Sequence, residues 1–167
     1  DYNQQMFVPD SESADMMLKR LELYKRLYTQ IAQVQKEGLN NNRVATERNL
    51  LRTIDQLENY LASSLDQDPL LLVNFSPEIS DSEISDWKDK AKNIIEANIR
   101  PTVSAYLDQL KTEHLPKGRG DDKCGIMWID GGEESYLRSL RKYTGHKDTT
   151  VKEVHEIGLS EIERLKK

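Results

Sequence analysis

Residues 11–38 read SESADMMLKRLELYKRLYTQIAQVQKEG, and the spacing of their apolar side chains decides the fold. Met17, Leu21, Tyr24, Tyr28 and Ile31 recur at steps of four and three, Gln35 continues the row, and Leu18, Leu27 and Val34 flank it. Side chains at that period share one face of an α-helix, so the stretch predicts one long amphipathic helix. Ser11 or Ser13 stands where an N-cap belongs, and Gly38 where a helix commonly ends. Asn40-Asn41-Asn42 predicts a turn. The pattern then repeats from about Ala45 to Leu65, with Leu50, Ile54, Leu57, Leu61 and Leu65 on one face. Two helices joined by a short polar turn predict an antiparallel hairpin over 11–65.

On the N-terminal side, Asp1 to Asp10 predicts an extended lead-in, with Pro9 as a breaker. On the C-terminal side, residues 66–79 hold Asp68-Pro69 and Ser76-Pro77 and predict irregular chain, in which Leu70 to Val73 tucks against the hairpin. Ser80 and Glu83 have capping-box spacing. Ile84, Trp87, Ala91, Ile94 and Ile95 follow, and beyond Arg100-Pro101 the stripe resumes with Val103, Tyr106, Leu107 and Leu110. Proline removes a helical hydrogen bond and clashes with the preceding turn, so residues 80–115 predict one kinked helix, from about Asp81 to His114. A glycine-rich loop over 116–132 contains Ile126-Met127-Trp128-Ile129, either a short strand or an anchor. Residues 133–167 predict two helices. Glu133 to Tyr143 is closed by Gly145; the second is opened by a Thr150/Glu153 capping box and carries Val154, Ile157, Ile162 and Leu165. The expected fold is all-α, a single helical domain or subdomain over 1–167.

Composition narrows the function. Of 167 residues, 24 are basic and 29 acidic, and the two signs are interleaved. A net charge of -5 without a basic stripe offers nucleic acid no surface. No apolar run approaches the roughly 18 residues that span a bilayer. The lone Cys124 has no partner for an internal disulfide. The chain opens on Asp1, and its last helix runs to Lys167 without a stop signal. Both suggest a section of a longer polypeptide.

Candidate chemistry is sparse. His155-Glu156 resembles the start of a zinc-peptidase helix, in which a second His four positions on shares the metal. Here that position is Leu159 and Gly158 intervenes, so the ligand pair is missing. His114 and His146 lack metal-ligand spacing to a Cys or a carboxylate. Arg119-Gly120-Asp121 is the integrin-recognition tripeptide, and three-residue matches are frequent by chance. Gly131-Gly132 precedes a helix whose first turn already holds Glu133 and Glu134, which complement the dipole an anion would use. Tyr24, Tyr28, Tyr60, Trp87 and Tyr106 fall at helical spacing and predict core packing. No serine or cysteine nucleophile has a recognisable partner.

One ordered series of motifs carries more information. From Ile99 the chain reads Ile-Arg-Pro-Thr-Val-Ser-Ala-Tyr, followed by Leu107, Leu110, Glu113-His114-Leu115-Pro116 and Arg119. Cys124-Gly125, Asp130-Gly131-Gly132, Tyr136, Tyr143-Thr144 and Glu153 to Leu159 come next, with Glu161 and Arg164 behind. Leu18 to Leu21 and Gln35 to Leu39 extend the match into the first helix. In order and spacing this resembles the bacterial domain-of-unknown-function family numbered 885. Trp128-Ile129-Asp130 departs from the family's Leu-Pro, and Thr102-Val103 separates the proline from Ala105-Tyr106.

The resemblance implies a parent of several hundred residues, often exported or lipid-anchored, hence periplasmic or extracellular. It also implies a zinc metallopeptidase-like activity, whose H-E-x-x-H helix would lie downstream of this chain. Zinc would then belong to the parent, with no cofactor and no catalytic residue in these 167 positions. The expected role is a non-catalytic helical subdomain supporting a substrate cleft; a stand-alone interaction module is the alternative. The remainder of the parent polypeptide and a peptide substrate are the expected partners. The loop from Lys117 to Tyr136, with Gly131, Gly132 and Tyr136, is the candidate for approaching the cleft, because loops on rigid helices commonly supply binding surface.

Overall fold

In the computed structural model, which describes residues 6–166, Asp10 opens the first helix. Its carboxylate accepts from the Ser13 N–H at 2.7 Å, so the cap sits one residue before Ser11. The strand β1 (Phe7–Val8) precedes it; the part of the expected lead-in at 1–5 lies outside the described residues. The single long helix expected over 11–38 is two, α1 (Ser11–Glu22) and α2 (Tyr24–Asn40). Leu23 joins them, its N–H closing a tight turn onto the Arg20 carbonyl at 3.1 Å. No glycine or proline marks the break.

Gly38 does not end α2. It lies in the last turn, and the chain reverses at Asn42, whose φ is 55°. Asparagine tolerates that left-handed conformation better than most residues. The returning Arg43 N–H then donates to the Gly38 carbonyl at 2.8 Å. The connector leads into α3 (Glu47–Ala62), with Leu50 and Ile54 buried as their spacing predicts. Two short 3-10 turns, Leu65–Gln67 and Pro69–Leu71, lead to β2 (Asn74–Phe75), which pairs in parallel with β1. Leu71 of the apolar run is buried.

Ser80 and Glu83 form the expected capping box at the start of α4 (Asp81–Ile94). The helix then continues unbroken to His114 through a π turn (Ile95–Ile99), α5 (Arg100–Gln109) and a second π turn (Leu110–His114). Each π turn ends just before an X-Pro pair, Arg100-Pro101 and Leu115-Pro116. A proline ring collides with the carbonyl four residues back in an α-helix. Widening the turn moves that carbonyl aside: Arg100 N–H bonds to the Ile95 carbonyl and Leu115 N–H to the Leu110 carbonyl, each five residues back. The prolines therefore cost the helix its α register without breaking it.

The core forms around this helix. Ala91, Ile95, Ile99 and Val103 are completely enclosed and pack with Val8, Leu21, Leu71 and Trp87. Trp87 donates its indole N–H to the Ala14 carbonyl at 2.9 Å, tying α4 to α1. A second cluster joins Leu50 and Ile54 to Tyr106, Leu107 and Leu110. In the expected hairpin, α2 and α3 thus each pack chiefly on α5, while α1 packs on α4. Burying these side chains is the dominant favourable term in the fold.

Past Pro116 the chain winds through single turns. Ile126–Trp128 is one 3-10 turn, not a strand, and packs on α6 (Gly132–Thr144). Gly145, with φ of 73°, closes α6 as expected. Thr150 and Glu153 form the second capping box at α7 (Val151–Leu165). Among the described residues the chain is all-α apart from two two-residue strands.

Candidate functional site

The connector between α2 and α3 and the loop after α5 meet at Arg119. Its guanidinium donates to the carbonyls of Val44 at 2.7 Å and Gly125 at 2.9 Å, and to that of Lys123. Its backbone bonds to Ala45 and Glu47 on either side of the buried Thr46. Gly118 fits because a Cβ there would touch Glu47 Cα at 3.0 Å. Arg119 is therefore a clamp within the fold. The Arg-Gly-Asp tripeptide lacks a free guanidinium to offer a receptor.

Gly131 and Gly132, two of the three cleft candidates, have separate structural roles. Gly131 adopts φ of 70°, a conformation costly for side chains with a Cβ. Gly132 is buried against Ile126: a Cβ there would fall 1.7 Å from the Ile126 carbonyl oxygen. Tyr136 is exposed on α6. Of the three, Gly131 comes near another functional group, since a Cβ there would lie 3.8 Å from an Arg43 terminal nitrogen.

Arg43 leads to a feature that sequence spacing did not reveal. A cavity of about 180 Å³ lies between α2, α3 and the end of the long helix. Gln35, Arg43, Asn49, Thr53, Tyr106 and His114 supply its polar lining, and Leu50 and Leu110 its floor. The Tyr106 hydroxyl donates to Gln35 Oε1 at 2.9 Å. Gln109 donates its amide to the Ala32 carbonyl at 2.9 Å and approaches His114 Nε2 at 3.1 Å. A carbonyl can only accept, so the Gln109 nitrogen faces both partners, and His114 Nε2 must accept. The ring is then neutral, with its proton on Nδ1. Burial agrees: it holds the His114 pKa below the ordinary 6.5, against a smaller opposing pull from Glu113. Burial also raises the proton affinity of Tyr106.

A second polar cluster is closed to ligands. Asp68 is wholly buried, pairs with Arg100 at 3.5 Å, and caps the Leu70 N–H at 3.1 Å. Arg100 also stacks over the Tyr60 ring at 5.5 Å. The Tyr60 hydroxyl and Arg100 Nε are buried without hydrogen-bond partners among the described residues. Burial, and then the Asp68 charge, drive the Tyr60 pKa strongly upward.

The histidines considered for zinc are dispersed. His155 is exposed on α7 with Leu159 four positions on, and His146 is exposed between α6 and α7. Among the described residues no three or more His, Cys, Asp or Glu side chains converge as a metal ion would need. The described residues therefore do not fit zinc. No helix is long and apolar enough to cross a membrane among the described residues.

A series of exposed apolar side chains lies on α6 and α7. Tyr143 is 84 % exposed, Leu165 73 % and Ile157 62 %, and Leu159 and Ile162 are also open to solvent. None of the residues of α7 is buried. The amphipathic stripe read from the sequence is real, but nothing within the described residues covers it.

Comparison with curated proteins and with solved structures gave no significant match. A family model described as "Bacterial protein of unknown function (DUF885)" matches residues 1–167, the whole chain, and thereby places this protein in that family.

Proposed function

We propose that this chain is a non-catalytic helical subdomain that docks through α6 and α7 onto further polypeptide of a zinc metallopeptidase-like parent. The observation that carries the docking half is the uncovered apolar face of α7. An amphipathic helix gains its stability by burying one face, and a face with Ile157, Ile162 and Leu165 in solvent lacks that contribution. The peptidase half is supported by the order of motifs quoted above, from Ile99 to Arg164. On this reading zinc is held by the parent, which is exported, and the loop at Gly131 and Tyr136 borders its peptide cleft.

Amide hydrogen exchange tests the docking. In the longer protein the α7 amides are expected to exchange far more slowly than in this chain alone. Equal exchange rates would refute the docking. For the cleft, Tyr136→Ala in the longer protein is expected to raise KM for a peptide substrate. An unchanged KM and kcat would remove the loop from the cleft. Gly132 is unsuitable for that test, because a side chain there disrupts the loop itself.

The alternative is a stand-alone module that uses the same α7 face for a separate protein. The reading frame beyond Lys167 discriminates: a downstream H-E-x-x-H supports the parent, and an immediate stop codon supports the module.

A further inference from the structure

The chain carries 29 acidic residues, yet the cavity between α2, α3 and the end of the long helix has no carboxylate in its lining. It has instead Arg43 among its lining residues, an arginine that forms no ion pair among the described residues and whose terminal nitrogen stands 3.8 Å from where a Gly131 Cβ would lie, toward the loop beside the cavity. Arginine presents a planar fork of donors that matches a carboxylate in two parallel hydrogen bonds. Donors surround it. Tyr106 occupies Gln35 Oε1 and leaves the Gln35 amide N–H groups unused by that bond. Asn49 brings a second amide at the same wall. Beneath them Leu50, Leu110 and the Tyr106 ring make an apolar floor.

From this arrangement we infer that the cavity is a binding site for a small carboxylate with an apolar body. The ligand matches an N-blocked amino acid or the last residue of a peptide in size and chemistry. The carboxylate lies against Arg43 with the Gln35 and Asn49 amides beside it, and the apolar body rests on Leu50 and Leu110. A phosphate dianion fits less well, because Arg43 is the one arginine or lysine among the lining residues, and Ala45, Leu50 and Leu110 are apolar. Charges near the rim are balanced: Glu113 is already paired with Lys36 at 3.0 Å and does not compete for Arg43. The site is complete within this chain and does not depend on what covers α7.

The test uses the intact 167-residue chain and two probes, N-acetyl-leucine and N-acetyl-leucinamide, which differ in the carboxylate. Backbone amide NMR shifts are followed during titration. The acid is expected to give saturable shifts at Tyr106, His114 and Gly131, and the amide is not. Arg43→Gln is expected to weaken the acid by about tenfold or more, the scale of a charge-assisted fork. Arg43→Lys, which keeps the charge but loses the fork, falls between, and Arg26→Gln on exposed α2 leaves the binding unchanged. Equal shifts from acid and amide would overturn the inference, as would unaltered binding in Arg43→Gln. So would saturable binding of inorganic phosphate with none of N-acetyl-leucine. Comparing acid and amide on the unsubstituted chain keeps the result decisive even if an Arg43 variant folds poorly.

Discussion

The Arg100 guanidinium stands 3.5 Å from the carboxylate of Asp68, and that carboxylate has no contact with solvent. A charge so placed is tolerable while its partner is present, and costly once the partner is removed. Arg100→Met should therefore destabilise the chain by about 3 kcal/mol. Adding Asp68→Asn, which removes the orphaned charge but keeps an oxygen for the Leu70 N–H, should recover more than half of that loss. Urea unfolding of the two variants decides it. If the double variant is no more stable than the single one, the cost lies in lost packing of Arg100 on Tyr60.

His114 sets a pH dependence. Its folded-state pKa lies below the ordinary 6.5, chiefly through burial. As pH falls through 6.5 the unfolded chain takes up a proton that the folded chain refuses. The contribution of the neutral ring is thus present above 6.5 and declines on acidification, until the folded value is passed. Stability followed by urea unfolding should fall between neutral pH and mildly acid pH, and His114→Gln should flatten that slope. An identical slope in the variant would assign the pH dependence to the carboxylates.

Gly132→Ala should unfold the turn at Ile126 and release the start of α6. A methyl group at 1.7 Å from a carbonyl oxygen forces the backbone apart, at a cost of several kcal/mol locally. Faster amide exchange confined to residues 125–137, with the long helix still protected, is the expected signature. Gly131→Ala, whose obstacle is the left-handed φ, should cost less, about 1 kcal/mol.

Trp87→Phe tests the tie between α4 and α1. It deletes the donor to the Ala14 carbonyl and part of the ring packed edge-on against Phe75 at 5.2 Å. A loss of about 1–2 kcal/mol in thermal or urea unfolding is expected.

Ile157→Glu combined with Ile162→Glu makes the opposite case. Both side chains are in solvent, so this chain should change stability by less than about 0.5 kcal/mol, while any self-association seen by light scattering should weaken. A large loss of stability would mean that α7 already packs on its own chain.

Local signals were legible in the sequence where the physics is local. The Ser80/Glu83 and Thr150/Glu153 boxes, the Gly145 stop and the continuity of the helix through Pro101 each depend on residues within about one turn of each other. The break at Leu23 carries no such signal, because a leucine at a tightened turn is indistinguishable from one inside a helix. Gly38 misled for a related reason: Asn42 also tolerates the left-handed conformation, and it took the role. The face of α7 was readable as amphipathic, but periodicity cannot say what covers it. The cavity was out of reach. Gln35, Arg43, Asn49, Tyr106 and His114 come from three helices and a connector, and only tertiary packing makes them neighbours.

The two π turns carry a consequence for comparing relatives. Ala91, Ile95, Ile99 and Val103 are spaced by four throughout, a row that would drift by about 40° at each step in a regular α-helix. The wider turn from Ile95 to Ile99 takes up the drift by accommodating one additional residue in the helix. Relatives without a proline at position 101 are then expected to be one residue shorter just upstream, with a row that returns to alternating steps of three and four. A one-residue gap in an alignment of this helix would therefore record a change of winding, and the same buried wall would be kept on both sides of it.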